Sequence, residues 1–212
     1  EGANALTDVA VNDPELMLTL PKSLTAATGM DALTHAVECY VSTFSFKLTN
    51  DLAVLAVRYI FENLVRAVEQ PDDLEARENM TYGEYIAGMA FGSGGVGLVH
   101  AIAHQLGGLY NLPHGLCNAI LLPHVIRFNK RACAQRYADL LRVIEPETTL
   151  SAEAGADALA DRITALSTRI GTAIPLRELG VLREDFPLLA KKALEDSCSS
   201  TNPVSALPEE II

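Results

Sequence analysis

Apolar residues recur at a helical period along most of this chain. From about Leu24 to Ser42, the positions Met30, Leu33, Val37, Tyr40 and Val41 fall on one stripe behind Ser23, a residue type that caps helix N-termini. Leu52, Leu55, Tyr59, Leu64 and Val68 predict a second helix from near Thr49 to just before Pro71, and a third runs from about Asp73 to Phe91. The run Gly92-Ser93-Gly94-Gly95-Val96-Gly97 is expected to break the pattern, because clustered glycines cost backbone entropy in a helix. Helical spacing resumes from Leu98 to Gly108. It continues from His114 to Asn129, with a kink expected at Pro123, and then over Lys130 to Ile144, Ser151 to Ile170 and Arg183 to Leu194. Ser205 to Glu210 reads as the start of a further helix. The one strand-like stretch is Val9-Ala10-Val11, ahead of the turn residues Asn12-Asp13-Pro14. The prediction is an all-α, multi-helix bundle domain with at most a short N-terminal strand.

Composition narrows the classes. The chain has 212 residues, 49% of them apolar, which suits one large helical core. Net charge is −11, and no Lys/Arg-rich run exists to hold nucleic acid or an anionic membrane. Cys39, Cys117, Cys133 and Cys198 are widely spaced and form no CxxC pair, so reduced thiols and a cytoplasmic location are expected. No apolar run long enough to span a bilayer and no signal-peptide pattern is present. The opening Glu1-Gly2-Ala3-Asn4 lacks Met and reads as the interior of something longer.

The candidate chemistry lies in the five histidines. Asp31 and His35 are four apart and share a helix face; His100 and His104 repeat that spacing, and His114 follows at a turn leading into a helix. Neutral imidazoles with one carboxylate suit a divalent first-row cation, leaving net positive charge for an anionic oxygen at an open position. Each pair alone is an ordinary helix-face pattern. Spacing by itself leaves a metal site and a buried polar cluster both open.

Two longer stretches carry more information. Thr25 to Tyr40 (TAATGMDALTHAVECY) and Gly97 to His124 (GLVHAIAHQLGGLYNLPHGLCNAILLPH) resemble the two signatures of the iron-containing, or group III, alcohol dehydrogenases. The likeness extends through Asp13-Pro14-Glu15-Leu16, Ala87 to Phe91 and Asp196 to Pro203, covering nearly the whole chain. It implies the C-terminal helical domain of the dehydroquinate synthase-like fold, with residues 22–212 as the metal-binding domain and 1–21 as a connector from an N-terminal nucleotide-binding domain. It also implies a site of Asp31, His35, His100 and His114 for Fe(2+), with Zn(2+) chemically acceptable to the same donors.

By the same likeness, His104 would sit between metal and nicotinamide and relay the alcohol proton. Leu16, Thr19, Leu20 and His104 would touch NAD(P), Phe91 and Cys198 would lie near the substrate, and His124 would be structural. The implied reaction interconverts a small primary alcohol or diol and its aldehyde, in a homo-oligomer of two or more copies. This chain departs from the family after Phe91, where Gly92-Ser93-Gly94 replaces the usual Asn-Asn-Ala. The Gly92–Gly97 run is also no nucleotide loop, having no strand before it. Without the nucleotide half, the chain is expected to turn over little. Two other readings are a helical hydrolase using metal-activated water, with Glu38 as the nearby carboxylate base, and a non-enzymatic interaction module.

Overall fold

The computed structural model describes residues 7–211, so residues 1–6 of the expected connector and the last residue, 212, lie outside it. Among the described residues eight α-helices follow one another: α1 (Lys22–Val41), α2 (Lys47–Glu69), α3 (Leu74–Gly94), α4 (Leu98–Tyr110), α5 (His114–Ile144), α6 (Ala152–Ile170), α7 (Phe186–Glu195) and α8 (Pro208–Ile211). Short 3-10 turns occupy Pro14–Met17, Leu176–Leu179, Arg183–Asp185 and Ser197–Thr201. No strand occurs among the described residues. Val9 and Val11 are exposed and meet no sheet partner that would give their alternation a buried face.

α1 is the central pillar, packed against α2, α3 and α5. Its buried face is Ala26, Met30, Leu33, Ala36 and Val37, small and branched side chains that let neighbours come close. Gly29 shows how close, since a Cβ there would collide with the Leu64 side chain of α2. α5 and α6 form a second layer, where Leu140, Leu141, Leu159 and Ile163 are fully buried.

Helix boundaries obey local chemistry. Asp73 caps α3 by accepting from Ala76 N at 3.0 Å, and Ser151 caps α6 by accepting from Ala154 N. Ser23 does not cap α1; it lies inside the helix, and Pro21 holds the cap position without a side-chain bond. The glycine run behaves differently from its expectation. α3 continues through Gly94, where a Cβ would press on Cys39 Sγ of α1, and stops at Gly95, whose φ of 73° favours glycine. These glycines serve close packing first and termination second. The 114–144 stretch is one helix by hydrogen bonding, and its non-helical residue is Cys133 (φ −140°, ψ 31°), not Pro123. The segment expected as a helix from Arg183 begins as a 3-10 turn and becomes α7 at Phe186.

One buried link matters for the site. Asn129 of α5 and Asn202 pair reciprocally through their amides at 2.8 Å in each direction, and the Asn202 oxygen also accepts from Leu98 N at 3.2 Å. The chain after α7 is thereby tied to the first turn of α4. No single helix among the described residues is long and apolar enough to cross a membrane.

Candidate metal centre

Three helices deliver the site. Asp31, His35 and Glu38 lie on successive turns of α1, His100 is in the first turn of α4, and His114 opens α5. Asp31 Oδ1 lies 3.4 Å from His114 Nε2, 3.6 Å from His100 Nε2 and 3.9 Å from His35 Nε2. Asp31, His100 and His114 form a compact trio with ligand atoms within 4.8 Å of one another, and His35 stands at its edge. The His35 ring is sandwiched between Phe91 at 4.2 Å and His100 at 4.6 Å between centroids, which fixes its plane.

The donor set fits a cation. A tetrahedral ion with bonds of ~2.1 Å needs ligand atoms ~3.4 Å apart, close to the spacings around Asp31. The polar groups are also under-satisfied without one: His35 Nδ1 and Asn118 Oδ1 are buried with no hydrogen-bond partner. The Asn118 amide nitrogen donates to Asp31 Oδ1 at 2.5 Å and lies 3.1 Å from His114 Nε2 and 3.2 Å from His100 Nε2, so three ligand atoms crowd one amide that has two hydrogens. His35 and His100 are enclosed, whereas the side chains of His104 and His114 keep 42% and 39% of their surface in solvent, so the cluster opens on that side. An open face is what a catalytic metal site keeps for substrate.

The electrostatics differ from ring to ring. Burial drives His35 down to about 4, helped by its neighbour His100. Burial opposes the charge on His100 too, but the Asp31 and Glu38 carboxylates overcome it and hold His100 up at about 9. Burial also lowers His114. Asp31 stays below the usual carboxylate range: burial opposes ionisation, and the His100, His35, His114 and Asn118 contacts outweigh it.

His104 stands beside this cluster, its ring stacked on His114 at 5.4 Å. Its Nδ1 lies 2.9 Å from Asp196 Oδ2, which Gln105 also contacts at 3.3 Å. Asp196 in turn accepts from Cys198 N at 2.9 Å, and these contacts bring Cys198 beside His104. Of the residues matched to the cofactor, Leu16 and Thr19 are exposed and Leu20 is half-buried, all in or just after the Pro14–Met17 turn. His124 is exposed on α5 and makes no hydrogen bond through its ring.

Glu38 is not a free base. Its Oε2 lies 2.6 Å from His100 Nδ1, its Oε1 accepts from Val99 N at 2.7 Å, and it is buried. The hydrolase reading loses its named base. Sequence reasoning missed Asn118 and Asp196 as parts of the site. Asn118 had a signal, being one helical turn after His114; Asp196 had none, because its partner is 92 positions away. Burial of its carboxyl and the Asp31 charge push Glu84 of α3 up to about 7, although the residue as a whole is exposed.

The profile of the Fe-containing alcohol dehydrogenase family, C-terminal, matches residues 25–212. The chain belongs to the iron-containing alcohol dehydrogenase family. The 1,3-propanediol dehydrogenase of Klebsiella pneumoniae is 48% identical over 207 residues, covering 97% of this chain and 54% of that protein. The NAD-dependent methanol dehydrogenase of Bacillus methanolicus is 44% identical over 204 residues, covering 96% and 54%. The solved structure of a 1,3-propanediol oxidoreductase superposes with a TM-score of 0.95 at 47% identity, again covering 97% of this chain and 54% of that one. The chain therefore spans about half the length of the family members it matches.

Proposed function

We propose that this chain is the metal-binding half of an NAD(P)-linked oxidoreductase that interconverts a small primary alcohol or diol and its aldehyde. One observation carries the reading: Asp31, His100 and His114, brought by α1, α4 and α5, form a compact trio of ligand atoms, with His35 Nε2 3.9 Å from Asp31 Oδ1 at its edge and an open side at His114. Asp31, His35, His100 and His114 would hold Fe(2+) or Zn(2+). Such a cation supplies Lewis-acid polarisation of a substrate oxygen, and a nicotinamide supplies the hydride acceptor or donor.

The chain's own groups do the rest. His104 Nδ1–H donates to Asp196, which leaves Nε2 available to take the alcohol proton in oxidation and return it in reduction. Phe91 stacks on the His35 ring and Cys198 lies beside His104, and the carbon end of a small substrate would lie near these two residues. Leu16 and Thr19, which are exposed, and the half-buried Leu20 would touch the cofactor. Residues 1–21 act as the connector to a nucleotide-binding half, and the metal-binding domain occupies 22–212. The assembly is a dimer or larger, in the cytoplasm.

The test has two parts. The chain is loaded anaerobically with Fe(2+) or Zn(2+), and bound metal is counted before and after gel filtration. One ion per chain, lost in His100→Ala, is expected; no retained ion in the parent sinks the reading. NADH formation from ethanol or 1,2-propanediol is then measured with and without a separately produced nucleotide-binding half. Activity is expected only with both halves, and robust activity from this chain alone would overturn the division of labour.

A further inference from the structure

We infer that Glu38 is a positioning residue: one buried carboxylate sets the tautomer of His100 and clamps the start of α4 to α1, so that the two halves of the metal site keep register. This rests on the metal-centre reading above. The geometry is specific. Glu38 stands one helical turn beyond His35 and two beyond Asp31 on α1, so the same face that presents two ligands presents the clamp. Its Oε2 is 2.6 Å from His100 Nδ1 and also accepts from His100 N at 3.4 Å, and its Oε1 accepts from Val99 N at 2.7 Å.

An ionised carboxylate can only accept, so the ring keeps its proton on Nδ1, and the proton that a cation displaces, freeing a lone pair, is the one on Nε2. That is the nitrogen 3.6 Å from Asp31 Oδ1. The backbone half of the contact has an equally plain cause. α4 begins after Gly97, which has no side chain to cap it, and its first amides would be orphaned in a buried setting. Asn202 accepts from Leu98 N, and Glu38, reaching from another helix, accepts from the next two amides. Gly97 is required for the approach, since a Cβ there would lie 2.9 Å from Glu38 Oε1 and 2.9 Å from Asn202 Oδ1.

A glutamine separates the two roles. In Glu38→Gln the side-chain oxygen still accepts from Val99 N, so α4 keeps its cap. The amide NH2 now faces His100 Nδ1, which must accept, and the ring proton moves to Nε2, where it blocks the ligand lone pair. Zinc affinity of the metal-free chain is measured by competition with a chromophoric chelator, alongside thermal melting without metal. Glu38→Gln is expected to stay folded, with a lower melting temperature because His100 loses a charged partner, and to bind zinc ~10–100-fold more weakly, the cost of losing an outer partner of a histidine ligand. Zinc binding equal to the parent's, with the parent binding normally, overturns the role of Glu38 and leaves the metal centre standing. Failure of the parent to bind zinc overturns both. Should the glutamine variant not fold, long-range proton–nitrogen NMR of the zinc-loaded parent decides: metal on Nε2 with a proton on Nδ1 of His100 supports the assignment, and the reverse refutes it.

Discussion

Gly115 is pressed against the backbone of Ala27: a Cβ at Gly115 would land on the Ala27 carbonyl, and would lie 3.2 Å from Asp31 Cβ. The first turn of α5 thus touches α1 one turn before the Asp31 carboxylate, and this contact is what brings His114 to it. Gly115→Ala must push the two helices apart. Overpacking of this kind costs ~1–3 kcal/mol, and it also lengthens the His114–Asp31 separation. A lower melting temperature together with weaker zinc binding is expected; unchanged zinc affinity would show that His114 does not depend on this contact.

Asp31 is the acidic member of the compact trio and is surrounded by the three imidazoles. Asp31→Asn keeps the shape and removes the charge. Metal affinity should fall by at least the ~10–100-fold that the loss of an outer partner alone costs. Chelator competition measures it, and a variant that holds zinc as tightly as the parent would contradict the ligand set.

Metal uptake should depend on pH with a definite sign. The folded value of His100 in the metal-free chain, about 9, is raised above the ~6.5 of an unfolded imidazole. Its charge therefore stabilises the metal-free fold fully below pH ~6.5, and that contribution is lost as pH rises through about 9. A cation must displace this proton, so apparent affinity should rise as pH climbs toward 9, by up to about tenfold per unit. Chelator competition at several pH values between 6.5 and 9 tests this; affinity that is flat or falls with pH contradicts it.

Ile163 offers a control away from the site. It is fully buried on α6, in the second layer. Ile163→Ala should cost ~2–5 kcal/mol in urea unfolding while leaving zinc affinity unchanged. A matching loss of affinity would mean that the second layer, and not only α1, α4 and α5, holds the site in shape.

The thiols should be sluggish. Burial pushes Cys39, Cys117 and Cys133 up to about 11, and burial with the nearby Asp196 pushes Cys198 up to about 12. Since the thiolate is the nucleophile, iodoacetamide near neutral pH should label the native chain far more slowly than the urea-unfolded chain. Mass spectrometry reads the difference, and rapid native labelling at Cys198 would show an activated thiol.

The helices were legible because their period is written in Met30, Leu33 and Val37 and repeated in each later element. The strand at Val9 to Val11 was misread because alternation is only a local signal, and no second strand exists among the described residues to make it a sheet. The glycine run misled for a related reason: Gly94 admits Cys39 of another helix, which composition does not reveal. For the site, the residues Asp31, His35, His100 and His114 came from long motifs. Their supports, Glu38, Asn118 and Asp196, act through partners on other turns or other helices. Glu38 was visible as a carboxylate near the ligands but received the opposite role, because only the fold shows that it already has hydrogen bonds to make.

The reciprocal amide pair of Asn129 and Asn202 has a consequence in time. The cradle's donor atoms are all synthesised by residue 114, yet the first turn of α4 gains its contact with Asn202 only about 88 residues later. A nascent chain halted before that point would carry the full donor set with the start of α4 held by Glu38 and not yet by Asn202, so the second tie on that helix arrives well after the ligands.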